Sequence, residues 1–182
     1  IIVLEDSAVV GKPAREYFDV ETDWVIEIDL TPNRIDGASH IGVVRDLAAY
    51  FNLERPTEYK RHSVDHFKVD NHDLEIPVEI ENPEACYRYA GVSVTGVEIK
   101  ESPSWLQKRL KAIGLTPINN LVDITNYVLF ETGQPLHAFD ADNIAGGKII
   151  VKTVDEGTRF TTLDKMEREL SGTDLMICNT LE

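Results

Sequence analysis

Residues 119 to 133 constrain the fold of this chain more than any other stretch. Leu121, Val122, Ile124, Val128, Leu129 and Phe130 lie between a capping Asn119 or Asn120 and a stopping Gly133. At 3.6 residues per turn they go most of the way round the cylinder, which predicts a helix buried on nearly every side. The same helix contains Asp123, Thr125 and Asn126, and a buried polar group left unpaired costs roughly 1–3 kcal/mol. Thr125 can bond back to a carbonyl of the preceding turn. Asn126 has no such local partner, so it either ties down a neighbouring loop or faces a wet pocket.

A second helix just before it has equally clear ends. Ser102 is the expected cap, Pro103 the first helical residue, and Gly114 the stop, with Trp105, Leu106, Leu110 and Ile113 as the apolar stripe. Its outer face holds Lys108, Arg109 and Lys111. A solvated helix face is the ordinary reading of such a run, and a local contact with an RNA backbone is the other. Strands are predicted around this helical pair. Leu74, Ile76, Val78 and Ile80 alternate, Tyr87 to Ile99 supplies one or two more strands, and others follow at Lys148–Val154, Arg159–Leu163 and Asp174–Cys178. Helices between sets of strands predict an α+β domain with a mixed, mostly antiparallel sheet.

The N-terminal part is expected to form a small strand-turn-helix unit. Trp24, Ile26, Ile28 and Leu30 alternate as a strand, and Thr31-Pro32-Asn33-Arg34-Ile35-Asp36-Gly37 breaks it. A helix follows, capped by Ser39 or Asp36, with Ile41, Val44, Leu47, Ala48 and Phe51 at helical spacing. Residues 54–73 hold no period and read as a linker. The expected organisation is therefore a unit at 1–53, a linker at 54–73 and a domain at 74–182. His62, His66 and His72 with Asp65, Asp70 and Asp73 have some metal-ligand character. Without a helical period around them, a solvated, charged connector is the simpler reading.

Charge narrows the function. The 182 residues include 18 basic and 32 acidic side chains, a net charge of −14. Such a chain does not hold nucleic acid by its overall field, so any contact with RNA is local or made by other parts. No run of 18 apolar residues is present, so no membrane span is predicted. Cys86 and Cys178 are far apart and match no zinc spacing, which points to reduced thiols in a cytoplasmic protein. No Gly-rich phosphate loop and no Ser nucleophile elbow occurs. Ile1-Ile2-Val3-Leu4 lacks an initiating Met and a charged n-region, so the chain is expected to be a piece of a longer one.

Several runs resemble the β-subunit family of bacterial phenylalanyl-tRNA synthetases. The first is Asp29-Leu30-Thr31-Pro32-Asn33-Arg34-x-Asp36, with Ser39-x-x-Gly42-Val43-x-Arg45-Asp46-Leu47-Ala48 after it. The others are Cys86-Tyr87-Arg88-Tyr89-x-Gly91, Ser102-Pro103-x-Trp105-Leu106, Asn120-x-Val122-Asp123-Ile124-Thr125-Asn126-Tyr127-Val128, and Glu131-x-Gly133-Gln134-Pro135-Leu136-His137-Ala138-Phe139-Asp140.

The resemblance implies that 74–182 is most of an editing domain that hydrolyses tyrosine wrongly attached to the phenylalanine tRNA. By position, His137 matches the editing histidine, and Asn126 and Thr125 match its polar neighbours. His137 and Asn126 would orient the attacking water, and Thr125 would touch the amino acid or ribose. His137 bracing its loop through Asp140 is the non-catalytic alternative. The resemblance further implies an α subunit as partner in an α2β2 enzyme, tRNA as substrate, and ATP with magnesium as cofactors of the parent enzyme. None of those cofactors is expected on these residues. Gly114-Leu115-Thr116-Pro117 lacks an arginine that some members have there. The Gly-rich stretch and acidic residue that complete the pocket would follow position 182, so these residues alone are expected to edit weakly or not at all. A free-standing trans-editing hydrolase, a tRNA-docking scaffold and metal-dependent hydrolysis through the linker histidines are the competing readings.

Overall fold

Helices form where local signals start and stop them. The computed structural model describes residues 2–20 and 22–180. Helix α1 is a single turn at Ala14–Tyr17, α2 spans His40–Phe51, α3 spans Ser104–Ala112 and α4 spans Asn120–Thr132. Ser39, not Asp36, caps α2: its Oγ accepts from the Gly42 N–H at 3.0 Å. Asn119 caps α4, its Oδ1 accepting from the N–H groups of Leu121 and Val122 at 3.1 and 3.0 Å. Gly114 (φ +84°) and Gly133 (φ +79°) take the left-handed conformation that ends a helix. The expected cap of α3 is different. Ser102 is buried and donates its hydroxyl to Asp123, so Pro103 occupies the cap position without a side-chain bond.

The chain folds into two compact units that interleave along the sequence. One comprises Ile1–Tyr59 and Lys100–Leu136, the other Lys60–Ile99 and His137–Glu182. All four α-helices fall in the first and every strand in the second, which makes the α+β class a matter of two segregated units.

In the helical unit α4 packs on α2 and α3. Leu106 and Leu110 are the most deeply buried apolar side chains, joined by Ala48. The expectation that α4 is covered on nearly every side is corrected. Asp123 is its one buried residue, while Ile124 is 51% and Phe130 39% exposed. Two neighbouring helices shield two sides of a cylinder and leave the third open.

The other unit contains strand β1 at Val78–Ile80, β2 at Ile149–Thr153, β3 at Arg159–Thr161, β4 at Glu167–Glu169 and β5 at Leu175–Cys178. Sheet order is β1-β2-β5. β1 runs parallel to β2 with Val78 opposite Ile149, and β5 runs antiparallel with Ile177 opposite Val151. Ile149 and Val151 are buried at alternate positions, the period of a half-covered strand. β3 and β4 form a separate antiparallel pair.

Two expected strand regions are not strands. Residues 24–30 alternate in sequence, yet among the described residues the backbone of 25–30 has no ladder partner and Trp24 is 89% exposed. Alternation supplies a face, but only a neighbouring backbone turns an extended segment into a strand. The same holds for Tyr87 to Ile99, where Gly96 turns the chain at φ +72°.

The turn before α2 is clamped by charge. Arg34 binds Asp36 through Nε and Nη2 at 3.0 and 3.1 Å and reaches Asp46 at 2.5 Å, while Arg45 binds the Asp36 carboxylate at 2.6 Å. A Cβ on Gly42 would lie 2.3 Å from the Asp36 carbonyl, so the turn closes on α2 only over a glycine. Hydrogen bonding from Arg34 holds the Asp36 carboxyl below its ordinary range. A depressed folded-state value means stabilisation that is present above the unfolded pKa of about 3.9 and lost as pH falls through the folded one. Acid unfolding of the chain below about pH 4 should therefore be shallower in Asp36→Asn than in the unaltered protein. Identical slopes of melting temperature against pH would show that the clamp contributes nothing there.

Candidate functional site

Helix α4 is held by polar ties at its N-terminal end. The Asn120 N–H donates to the Lys100 carbonyl at 2.8 Å, and the Asn120 Oδ1 accepts from the Lys100 N–H at 3.2 Å. Asp123 is 0% exposed and uses both carboxylate oxygens: Oδ2 accepts from Ser102 Oγ at 2.5 Å and Oδ1 from the Ile118 N–H at 2.9 Å. Rotation of the helix about its axis is thereby set, and with it the direction of the next turn.

That next turn contains two of the expected site residues. Thr125 donates its hydroxyl to the Val122 carbonyl at 2.7 Å, the local bond such a residue makes in a helix. Its oxygen keeps lone pairs for another donor. Asn126 is half-buried, and its carboxamide makes no hydrogen bond among the described residues. Thr125 and Asn126 thus share one helix of the helical unit.

His137 lies at the start of the second stretch of the β unit, beyond the Gly133 stop. It is exposed and packs its ring against Phe139, with centroids 4.4 Å apart at 51°. No hydrogen bond between His137 and Asp140 is found among the described residues. The Asp140 carboxylate is engaged by the Asp142 N–H at 3.2 Å and by Asn143 Nδ2 at 3.0 Å, closing the short helical turn Ala141–Asn143. Among the described residues neither ring nitrogen of His137 has a hydrogen-bond partner, which leaves both for solvent or a substrate.

Beside this loop the β unit has a cavity of about 280 Å³, walled by Phe139, Ile149 and Ile177 with Asp140, Asn143 and Asn179 as polar groups. The β5 wall of this cavity was not identified from sequence, because nothing local connects Ile177 to the Ala138–Asp140 loop. A larger cleft, about 430 Å³, lies along α2 and contains none of the expected residues. Arg45 there is engaged by Asp36 and Asn52 by Thr57.

The linker histidines do not converge. Among the described residues no three His, Cys, Asp or Glu side chains gather as metal ligands, and Cys86 and Cys178 are free thiols. No described helix is long and apolar enough to cross a membrane.

Comparison with known proteins adds a family. Residues 85–181 match the B3/4 domain. The chain is also 58% identical over 180 residues to a protein of Bacteroides fragilis named phenylalanine–tRNA ligase beta subunit. It is 53% identical over 182 residues to the protein of that name from Porphyromonas gingivalis, and 41% over 183 residues to that of Carboxydothermus hydrogenoformans. Each alignment covers 98% of this chain and 22% of the relative, so the chain spans about a fifth of their length.

Proposed function

The chain belongs to the B3/4 domain family, and on that premise we propose that it works as part of a phenylalanine–tRNA ligase beta subunit, where it removes tyrosine misattached to tRNA. The whole enzyme, with its α subunit, would join phenylalanine to tRNA in the cytoplasm for protein synthesis. ATP and magnesium would serve that ligase reaction elsewhere in the enzyme. Nothing in the donor sets described here fits them, and no step of the hydrolysis is routed through them.

The need for a second site is chemical. Tyrosine is phenylalanine plus one hydroxyl, and an apolar pocket rejects an added hydroxyl by only about 100-fold. In the proposed hydrolysis a water oxygen attacks the ester carbonyl carbon, and His137 takes one water proton. The bond to the ribose oxygen then breaks, and that oxygen receives the proton. The family resemblance, and not a distance between units, gives Asn126 the role of orienting the water and Thr125 that of contacting the amino acid or ribose. The family match over residues 85–181 is what supports assigning this activity to the stretch 74–182, whose residues 100–136 pack in the helical unit.

Support comes above all from one feature. The His137 imidazole is exposed and packs at a tilt against Phe139, with the neighbouring Asp140 committed to its own turn. The test is release of amino acid from tyrosyl-tRNA and phenylalanyl-tRNA by the intact enzyme. Faster release of tyrosine is expected; equal release from both, or from neither, would remove editing from this chain.

A further inference from the structure

In a chain of net charge −14, α3 has no acidic residue and three cations, Lys108, Arg109 and Lys111. Leu106 and Leu110 bury one side of the helix. Trp105 is 57% exposed, and it stands three and four residues before Lys108 and Arg109, so the indole and both cations share one face. Tyr127 of α4 meets the Trp105 ring edge-on at 5.7 Å and 88°, which holds the indole in place.

Two acids from a distant part of the helical unit face the cations. Asp19 lies 3.5 Å from Lys108 Nζ and Asp23 lies 3.7 Å from Arg109 Nη1. Both contacts are long, and the Asp19 and Arg109 side chains are 92% and 68% exposed. Ion pairs of this kind contribute little, and a denser polyanion displaces them.

We propose that this face of α3 binds a single RNA strand, with Trp105 stacking on a base, Lys108 and Arg109 on phosphates, and Asp19 and Asp23 as the acids the strand displaces. A flat apolar platform beside clustered cations is what single strands use, because every base has a face to stack. An acidic peptide would engage the cations and leave the indole idle. That the strand is the single-stranded end of a tRNA rests on the function proposed above; the surface itself does not.

The experiment measures binding of a fluorescent single-stranded oligoribonucleotide, with no amino acid attached, to the full 182-residue chain across salt concentrations. Trp105→Ala should weaken binding about tenfold. Lys108→Gln with Arg109→Gln should weaken it and flatten the slope of log affinity against log salt by about 1.4, about 0.7 per lost phosphate contact. Asp19→Asn with Asp23→Asn should tighten it. Unchanged affinity and slope in the Lys108/Arg109 variant, with the helical circular dichroism retained, would overturn the proposal. So would polyglutamate or anionic vesicles binding as tightly as the oligonucleotide. Because no ester is present, failure here leaves editing untouched, and intact binding without tyrosyl-tRNA hydrolysis would sink editing alone.

Discussion

Replacing His137 with Ala in the intact enzyme should slow hydrolysis of tyrosyl-tRNA by about 10²–10⁴-fold, the usual contribution of a positioned base. On the function proposed above, phenylalanine attachment should proceed at the unaltered rate. The effect belongs to the ring nitrogens and not to packing, because His137 is exposed and its described contact is the Phe139 ring. Losing that contact removes little buried area, so the melting temperature should hardly move. Added imidazole should restore part of the activity of the Ala variant. Hydrolysis that continues undiminished would instead favour a module that docks tRNA and leaves chemistry to another part of the enzyme.

Asp123→Ala should be the most destabilising single substitution in the helical unit. It removes an acceptor from the buried Ser102 hydroxyl and another from the Ile118 N–H. At roughly 1–3 kcal/mol for each orphaned donor, the loss should reach about 2–6 kcal/mol in denaturant unfolding. Asp123→Asn should cost less, since its carbonyl can keep the Ile118 bond and its amide can donate to Ser102 Oγ. A loss below about 1 kcal/mol in the Ala variant would mean that water reaches those donors. Asn126 sits three residues along the same helix, so a loosened N-terminal end should also blur the position of its carboxamide.

Much of the helical unit was legible because capping is local chemistry. Ser39 and Asn119 present an oxygen to N–H groups two or three residues ahead, and Gly114 and Gly133 accept a backbone conformation that other residues resist. The buried alternation of Ile149 and Val151 was readable for the same reason. β4 was not, since Glu167-Arg168-Glu169 has no apolar residue and exists as a strand only through pairing with β3. Residues 24–30 show the converse, an alternating pattern that no neighbouring backbone completes.

For the site the division is similar. Asn126 raised a question as a polar residue in an apolar helix, whereas His137 and the roles of all three residues, Thr125 included, came from the family resemblance. The sequence also required that Asp123 have a partner, since burial of an unpaired carboxylate is too costly. Which partners each polar group found was decided in three dimensions. Ser102 left its expected cap for Asp123, Asp140 closed its own turn, and among the described residues neither the His137 ring nor the Asn126 carboxamide found a hydrogen-bond partner. A hydrogen bond depends on where two groups end up, and between residues 102 and 123 only the folded chain determines that.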